Sequence, residues 1–455
     1  MNYNLKVEIK HIKSIIELKE HLSSRRATLY VGSRTSTVLP YDQLIDNPKE
    51  YGFDNELVIG DLSSLPKSMD LDLDGNLVVV GAVSWKEAKE FCFSMGREVL
   101  TSPTEELALC LSGIATSATG ERCFGHGALR DQIISLKYLS SKGEEKVLNA
   151  KDTIVDLPLF NCEENKKVLD AYSSDYKFYE EFKNAPFPRL KKATDLMVGT
   201  EGQLGIITSA TYKTIPKKNE IYLFIKLPKW EINFKPHLEV FDKIQSFRNV
   251  IASCELIDEN SIQYLPVEER PAEGGDLLFL EIEEEKFEHV YDELLSRLKL
   301  ISEEDVFQMN SLKCRTFRMN IPRYIFEVNQ KMGVTKVGTD VQVKPHDFIK
   351  LMNRYKKWMD DGIRYNLFGH FGDAHLHFNF MPKPEELELC KQKLEDFYID
   401  VKAMNGSPFA EHGIGVLKKK YIKPFYNQNQ KKMFNILKDH FDPGNILFPN
   451  GYMSN

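Results

Sequence analysis

No two of the seven cysteines stand in a C-x-x-C pair. They fall at 92, 110, 123, 162, 254, 314 and 390, too scattered for an iron–sulfur cluster or a zinc ribbon within the chain. The odd count and wide spacing suit a reducing cytoplasm. No run approaches the ~18 apolar residues that cross a bilayer. No long basic run is present and the net charge is −7, which argues against nucleic acid as a partner. The first twenty residues, MNYNLKVEIKHIKSIIELKE, lack a signal-peptide core and read as a strand and an amphipathic helix. GxxxxGK(S/T) is absent, and so is GxGxxG after a strand, so neither a Walker nor a Rossmann nucleotide site is supported.

What is present is an ordinary globular composition, 42% apolar and 28% charged. At 455 residues the chain is long enough for two to three domains. One short stretch concentrates chemistry: Phe368–Phe380, FGHFGDAHLHFNF, holds three of the eleven histidines. From His375 to Phe380 polar and apolar residues alternate. On a strand, His375, His377 and Asn379 then point one way and Leu376, Phe378 and Phe380 the other. His370 precedes them across a Gly372-Asp373 turn signal. A second polar cluster, Phe409–Gly415, reads FAEHGIG and contains Glu411 and His412. Two imidazoles, a carboxylate and a further histidine are the raw material of a metal site with an adjacent base. Taken alone, His-x-His on a strand is more often a surface or hydrogen-bonded pair, so the rest of the chain must supply the partner chemistry.

In the first two hundred residues, 27–33 reads as a short strand entering the polar loop 34–37, and 76–83 as a continuous apolar strand. Ser84-x-x-Glu87 is a capping box, and Gly96 closes the helix it starts. Ser102-Pro103-Thr104-Glu105 signals a second helix start. Leu111–Gly120, LSGIATSATG, is almost all small residues. It is either a loop where a ligand approaches the backbone or a helix packed tightly in the core. Strands follow at 132–138 and 146–148, joined by the turn Ser140–Gly143. Gly199, Gly202 and Gly205 flank Glu201 before a strand over 204–215.

Pro216–Asn219 is a polar break. Beyond it, strands are predicted at 220–227, 250–256, 276–283, 340–344 and 363–380, with helices at 234–248 and 285–298. Pro424 is placed to open a last helix over 425–441. The domain boundaries expected are 1–216, 217–405 and 406–455.

The order of these blocks resembles the FAD-linked oxidase family with the vanillyl-alcohol-oxidase (PCMH-type) flavin domain. The branch it is most similar to is that of the D-lactate, glycolate and D-2-hydroxyglutarate dehydrogenases. Gly32–Ser36 resembles the family's diphosphate loop, and Ser102-Pro103-Thr104 its proline turn. Ser112–Gly120 resembles Gly-Gly-x-x-Ala-Thr-Asn-x-x-Gly. His126–Asp131 resembles Tyr-Gly-x-x-Arg-Asp, and Gly199–Ile206 resembles Gly-Ser-Glu-Gly-x-Leu-Gly-Ile. Near the C-terminus, Gly369–Asn379 resembles Gly-His-x-Gly-Asp-Gly-Asn-Leu-His-x-Asn, and Ala410–Gly413 resembles Ala-Glu-His-Gly.

The resemblance implies an α+β architecture: a two-subdomain PCMH-type FAD domain, a ferredoxin-like cap, and a C-terminal segment returning to the flavin. It implies non-covalent FAD held by Gly32, Ser33, Thr35, Ser36, Pro103, Thr104, Gly113, Ala115, Thr116, Ser117, Gly120, Gly127, Glu201, Gly205 and Ile207. It implies a divalent metal, zinc or manganese, on His370, His377 and Glu411. Asn379 is then a substrate contact and His412 the base. Arg318, Arg323 and Lys336 lie where the family carries a carboxylate-binding cation, with Lys336 and Arg318 carried as candidates. The expected activity is oxidation of a D-2-hydroxy acid to the 2-oxo acid. A quinone, a cytochrome, an electron-transfer flavoprotein or oxygen would serve as acceptor. The expected location is the cytoplasm or the inner face of a membrane, and a homodimer stays open. A metallohydrolase explains the histidines but not the glycine blocks. A non-catalytic FAD-binding subunit is the third reading.

The chain departs from the motifs at six places. Arg34 and Ser112 stand for glycine, Ser117 for asparagine, Ala374-His375 for Gly-Asn, and Phe448 for the tail asparagine. His375 faces the same side as His377, and three roles are open to it: an extra ligand, a group beside the metal or a substrate contact, the last two being favoured.

Overall fold

The computed structural model describes residues 6–54, 56–334 and 336–454. The chain divides into two compact units: the first comprises 1–119, 128–217 and 409–455, the second 120–127 and 218–408.

The first unit holds two main sheets. Lys6–His11, Glu56–Asp61 and Leu29–Val31 form a parallel three-stranded sheet with Glu56–Asp61 central. An antiparallel five-stranded sheet runs Ser68–Leu71, Leu77–Val80, Ile206–Tyr212, Ile133–Leu139, Glu145–Asn149. The continuous apolar stretch LVVV is one of its inner strands, and Leu77 and Val79 are fully buried against Trp85 and Tyr212. Helix Trp85–Ser94 begins at the predicted capping box, with the Ser84 amide donating to Glu87 and the Glu87 amide to Ser84 Oγ. Such a cap contributes about 1 kcal/mol.

No helix starts at Pro103. The backbone there is engaged in capping the neighbour: the Glu106 and Ala108 carbonyls accept from the amides of Lys86 and Trp85, at 2.8 and 3.0 Å. These are first-turn donors that a helix leaves unsatisfied. The next helix is therefore delayed to Cys110–Thr116, in the small-residue run. Pro424 likewise does not open the last helix. It sits in a 3-10 turn, and Gln428–Phe441 begins instead at an Asn427/Gln430 capping box. The last helix packs Met433, Phe434 and Leu437 into the core of this unit. Beyond it, Asp442 accepts from the amides of Ile446 and Leu447, and the tail pairs beside Thr28.

The loop 409–415 is tied into the same unit at both ends. Asn184 Nδ2 donates to the Ala410 carbonyl at 2.6 Å. Glu201 accepts from the amides of Ile414 at 2.6 Å and Gly415 at 2.9 Å. A side chain at Gly413 would lie 2.8 Å from Glu201 Oε1, so glycine is what lets the loop close over the carboxylate.

The second unit is built on a seven-stranded antiparallel sheet. Its order is Val306–Met309, Glu220–Leu227, Asp276–Glu283, Ile251–Ile257, Tyr365–His370, His375–Phe380, Val337–Gly338. Helix Ser311–Lys331 covers one face. Cys314, Phe317, Ile321 and Ile325 recur at helical spacing and pack on Phe224, Phe279 and Phe368. On the other face Phe378 and Phe380 pack at a tilt against Trp358, and Trp358 meets Phe397 edge-on. The strand expected over 340–344 is absent apart from a single bridge at Gln342. Pairing ends because the groups of Thr339 turn to other partners: its carbonyl accepts from His377 Nδ1, and its hydroxyl from the Phe378 amide. Among the described residues no helix is long and apolar enough to cross a membrane.

Four of the motif departures share one property. Arg34, Ser117, Ala374 and Phe448 have φ of 63, 52, 52 and 47°. The left-handed backbone that suits glycine or asparagine is kept, although this chain has neither residue there. Left-handed geometry costs an L-residue ~1–2 kcal/mol. At Ser117, the C-cap of helix Cys110–Thr116, the hydroxyl is buried with no hydrogen-bond partner. Ser117→Gly should therefore stabilise the ligand-free protein by roughly 0.5–1 kcal/mol, after the extra chain entropy of glycine is set against the relief. Ser117→Val, β-branched at positive φ, should lower stability by roughly 1–2 kcal/mol. Thermal unfolding of both variants checks the pair, and a drop in Tm for the glycine variant would contradict the strain.

Burial pushes the Glu201 carboxyl up to about 7, while the amides of Gly415 and Ile414 and the charge of Lys418 pull it back only in part. The folded state thus holds this proton more tightly than the unfolded chain. The resulting stability is complete below about pH 4.5 and is lost as pH rises through about 7. The span corresponds to roughly 3 kcal/mol at most. Glu201→Gln keeps an Oε1 acceptor for the loop and removes the titration. Between pH 5 and 8 its melting temperature should fall less than that of the unaltered protein, and parallel curves would refute the assignment.

Candidate active site

The second unit gathers its histidines by strand register. His370 pairs with His375, Phe368 with His377 and Asn366 with Asn379, which puts all six on one sheet face. Ile257 pairs with Phe368, so Glu255, two residues earlier on its strand, shares that face. The imidazoles of His370, His375 and His377 are at most 4% exposed. Each offers a ring nitrogen within 4.8 Å of the others. Ring centroids are 5.1 Å apart for His370 and His375, and 4.6 Å for His375 and His377.

Hydrogen bonds fix two of the tautomers. His377 Nδ1 lies 3.1 Å from the Thr339 carbonyl, an acceptor only, so this nitrogen carries the proton and Nε2 the lone pair. His370 Nδ1 donates to Glu255 Oε1 at 2.7 Å, which again makes Nε2 the lone-pair nitrogen. Glu255 is held in turn by Arg318 Nη2 at 3.1 Å, and Arg318 also faces Glu121 at 3.6 Å. A metal-ligating histidine characteristically has its other nitrogen fixed in this way. Gly369, at φ 136°, lets the hairpin close: a Cβ there would sit 3.0 Å from the His377 ring. Gly372 is needed for the same reason against Phe124, at 2.6 Å.

The candidate cations separate. Arg318 is buried and engaged with two carboxylates, so it orients His370 through Glu255. Arg323 is exposed and pairs with Glu327 one turn along its helix. Lys336 holds its ammonium 5.9 Å from the Phe368 ring. Asn379 donates to Asn366 at 2.8 Å and keeps a buried Oδ1 without a hydrogen-bond partner. That oxygen would lie 2.3 Å from a Cβ at Gly338, so the space around it exists because residue 338 is glycine. Glu411 and His412 belong to the first unit, 3.6 Å apart in the loop that Asn184 and Glu201 anchor.

The glycine blocks converge in the first unit. Gly199 donates its amide to the Ile114 carbonyl and Glu201 to the Ala115 carbonyl, at 3.1 and 2.7 Å. A Cβ at Gly32 would meet Ser112 Oγ at 2.5 Å, and one at Gly113 would meet Trp85 at 3.0 Å. The Gly205 position crowds Tyr138 in the same way, and Ile207 lies in the adjoining strand. Ala115 and Thr116 close helix Cys110–Thr116. Ser33, Thr35 and Ser36 follow strand Leu29–Val31, and Pro103 lies in the capping loop. Gly120 and Gly127 fall in the second unit. The hydroxyls of Thr104, Ser117 and Thr119 are buried without hydrogen-bond partners. Buried hydroxyls need partners, so a polar ligand along 104–119 fits the residues present. Arg34, in the diphosphate-like loop, is tied to Asp61 at 2.5 Å and stacks on Tyr41.

Glu255, Thr339, Asp340 and Asn184 were not among the residues picked from sequence. Glu255 had a signal: it is the one charge in the strand IASCELI, every residue of which is buried. A charge in such a strand requires a partner. Thr339 and Asn184 act through a carbonyl and an amide that no motif marks.

Comparison with known proteins bears on the family and the fold. Residues 233–451 match the profile of the FAD linked oxidases, C-terminal domain. A D-lactate dehydrogenase of Archaeoglobus fulgidus is 22% identical over 398 residues, 84% of this chain and 78% of that protein. Glycolate oxidase subunit GlcD of Bacillus subtilis is 24% identical over 277 residues, 56% of each chain. The mitochondrial D-2-hydroxyglutarate dehydrogenase of Arabidopsis thaliana is 25% identical over 357 residues, 74% of this chain and 56% of the relative. The chain thus spans little more than half the length of the last two. Among solved structures, an alkyldihydroxyacetonephosphate synthase has the same fold, with a TM-score of 0.65 at 13% identity, covering 97% of this chain and 75% of its own. Residues 233–451 thus carry the C-terminal domain of the FAD linked oxidases, and the chain as a whole is similar to oxidoreductases of the D-lactate dehydrogenase-like branch.

Proposed function

We propose that the protein oxidises a D-2-hydroxy acid of the lactate, glycolate or 2-hydroxyglutarate type to the 2-oxo acid. The relatives named above support the reaction class. The observation that carries it for this chain is the histidine hairpin, where Nε2 of His370 and His377 are left as lone-pair donors by the bonds to Glu255 and Thr339.

The residues that would hold FAD, without a covalent bond, are those of the converging blocks: Gly32–Ser36, Pro103-Thr104, Gly113–Ser117, Gly120, Gly127, Glu201, Gly205 and Ile207. When bound, FAD supplies the acceptor for the substrate's Cα hydrogen and its electron pair. His370 and His377 are the proposed ligands of a divalent cation, zinc or manganese, which as a Lewis acid lowers the pKa of a coordinated hydroxyl. The motif resemblance adds Glu411 as a ligand and His412 as the base that takes the hydroxyl proton. The resemblance assigns Asn379 to the substrate, and its buried Oδ1 without a hydrogen-bond partner supports that assignment. Lys336 is assigned to the substrate carboxylate, and Arg318 to holding Glu255 and, through it, His370. The reduced flavin is reoxidised by a separate acceptor: a quinone, a cytochrome, an electron-transfer flavoprotein or oxygen.

Anaerobic mixing of the flavin-loaded protein with D- and L-2-hydroxy acids tests the reading. Flavin absorbance should bleach with the D series only, and the bleaching should stop when the protein is treated with a chelator. His412→Ala should slow bleaching by roughly 10²–10⁴-fold, the range for loss of a general base. A bleaching rate unchanged in that variant would remove His412 from its role. A protein that carries no flavin would remove the function.

A further inference from the structure

We propose that His375 is a third imidazole ligand of the cation, so that this chain binds metal through three nitrogens on one sheet face of its second unit. The proposal rests on the metal reading above and goes beyond the two-histidine motif, which has asparagine at this position.

Three observations carry it. The first is placement. His375 faces His370 directly across the hairpin and stands two residues before His377, so strand geometry alone puts the three rings side by side. Their nitrogens come within 4.8 Å of one another, a separation that one ion at ordinary metal–nitrogen distances spans.

The second is the pattern of outer contacts. His370 has a carboxylate on Nδ1, Glu255 at 2.7 Å. His377 has a carbonyl on Nδ1, Thr339 at 3.1 Å. His375 has a carboxylate at one nitrogen as well, with Asp340 Oδ1 3.3 Å from Nε2. The contacts of His370 and His377 orient them as ligating imidazoles are oriented. Asp340 stands by the same cluster, its carboxylate within 4.8 Å of a ring nitrogen of His377.

The third is burial. His375 and Asp340 are 0% and 1% exposed. Three buried imidazoles gathered at this spacing form a ligand set already in place in the fold, with no rearrangement needed to meet one ion.

The ligand set has a consequence for metal choice. Exchanging an amide for an imidazole makes the site richer in nitrogen, and such sites hold zinc, cobalt and nickel far better than manganese. The protein should therefore favour zinc over manganese by a margin that His375 sets.

The test uses the full-length, flavin-loaded protein stripped of metal and titrated with Zn(II) and Mn(II). X-ray absorption at the zinc edge counts the imidazoles. The unaltered protein should show three, and His375→Asn and His375→Gln two. The ratio of zinc to manganese affinity should fall at least 10-fold in both variants. An unchanged imidazole count in the variants overturns the proposal, even if affinity weakens, because His375 would then act only through a neighbour. A different outcome sinks the metal reading itself: no zinc bound by the unaltered protein, or zinc bound equally after His377→Ala.

Discussion

The pairing of Tyr365–His370 with His375–Phe380 is the constraint on which the site depends. A strand pair has two faces, and a slip of one residue would exchange them. In the observed register Phe378 and Phe380 reach the aromatic layer of Trp358 and Phe397. The three histidines and Asn379 meet Glu255 and the helix that carries Arg318. The aromatic face therefore sets the position of the polar one. Phe378 and Phe380 cannot move to the other side without losing several kcal/mol of apolar burial. The histidines keep a buried, hydrogen-bonded arrangement that would be costly to assemble alone.

Much of this was legible in the sequence because it follows from periodicity. The alternation HLHFNF is enough to separate the two faces, and the strands at 220–227 and 276–283 have the predicted bounds. The Ser84/Glu87 capping box was equally plain, since it depends on two side chains three residues apart. The misreadings have one origin. Ser102–Glu105 and Pro424 carry sound local start signals, yet distant backbone groups compete for the same segments. The carbonyls of Glu106 and Ala108 serve another helix, and Asn427 with Gln430 makes a better cap than a proline alone. The strand expected over 340–344 failed because Thr339 turns its polar groups to His377 and Phe378. Local propensity is a weak prior where tertiary hydrogen bonds are on offer. For the same reason Thr339 and Asn184, which hold the site by a carbonyl and an amide, left no trace in the motifs.

The departures from the resembled motifs bear on how sequence can drift around a fixed backbone. Arg34, Ser117, Ala374 and Phe448 hold left-handed conformations without the residues that favour them. The surroundings supply the hold: Arg34 is tied to Asp61 and Tyr41, Ala374 closes a hairpin between two fully buried strands, and Phe448 is packed with Leu29 and Leu44. At these four positions local packing and hydrogen bonds, not residue type, hold the backbone left-handed.

The division of the first unit into three stretches of chain has a bearing on how the protein is made. Met433, Phe434 and Leu437 lie in the core of that unit, and Leu447 pairs beside Thr28. Residues 218–408, nearly the whole second unit, leave the ribosome before any of them. The N-terminal sheets must therefore wait, with part of their apolar surface uncovered, while the second unit is synthesised and free to fold. During that interval the nascent chain exposes apolar surface that favours misassociation.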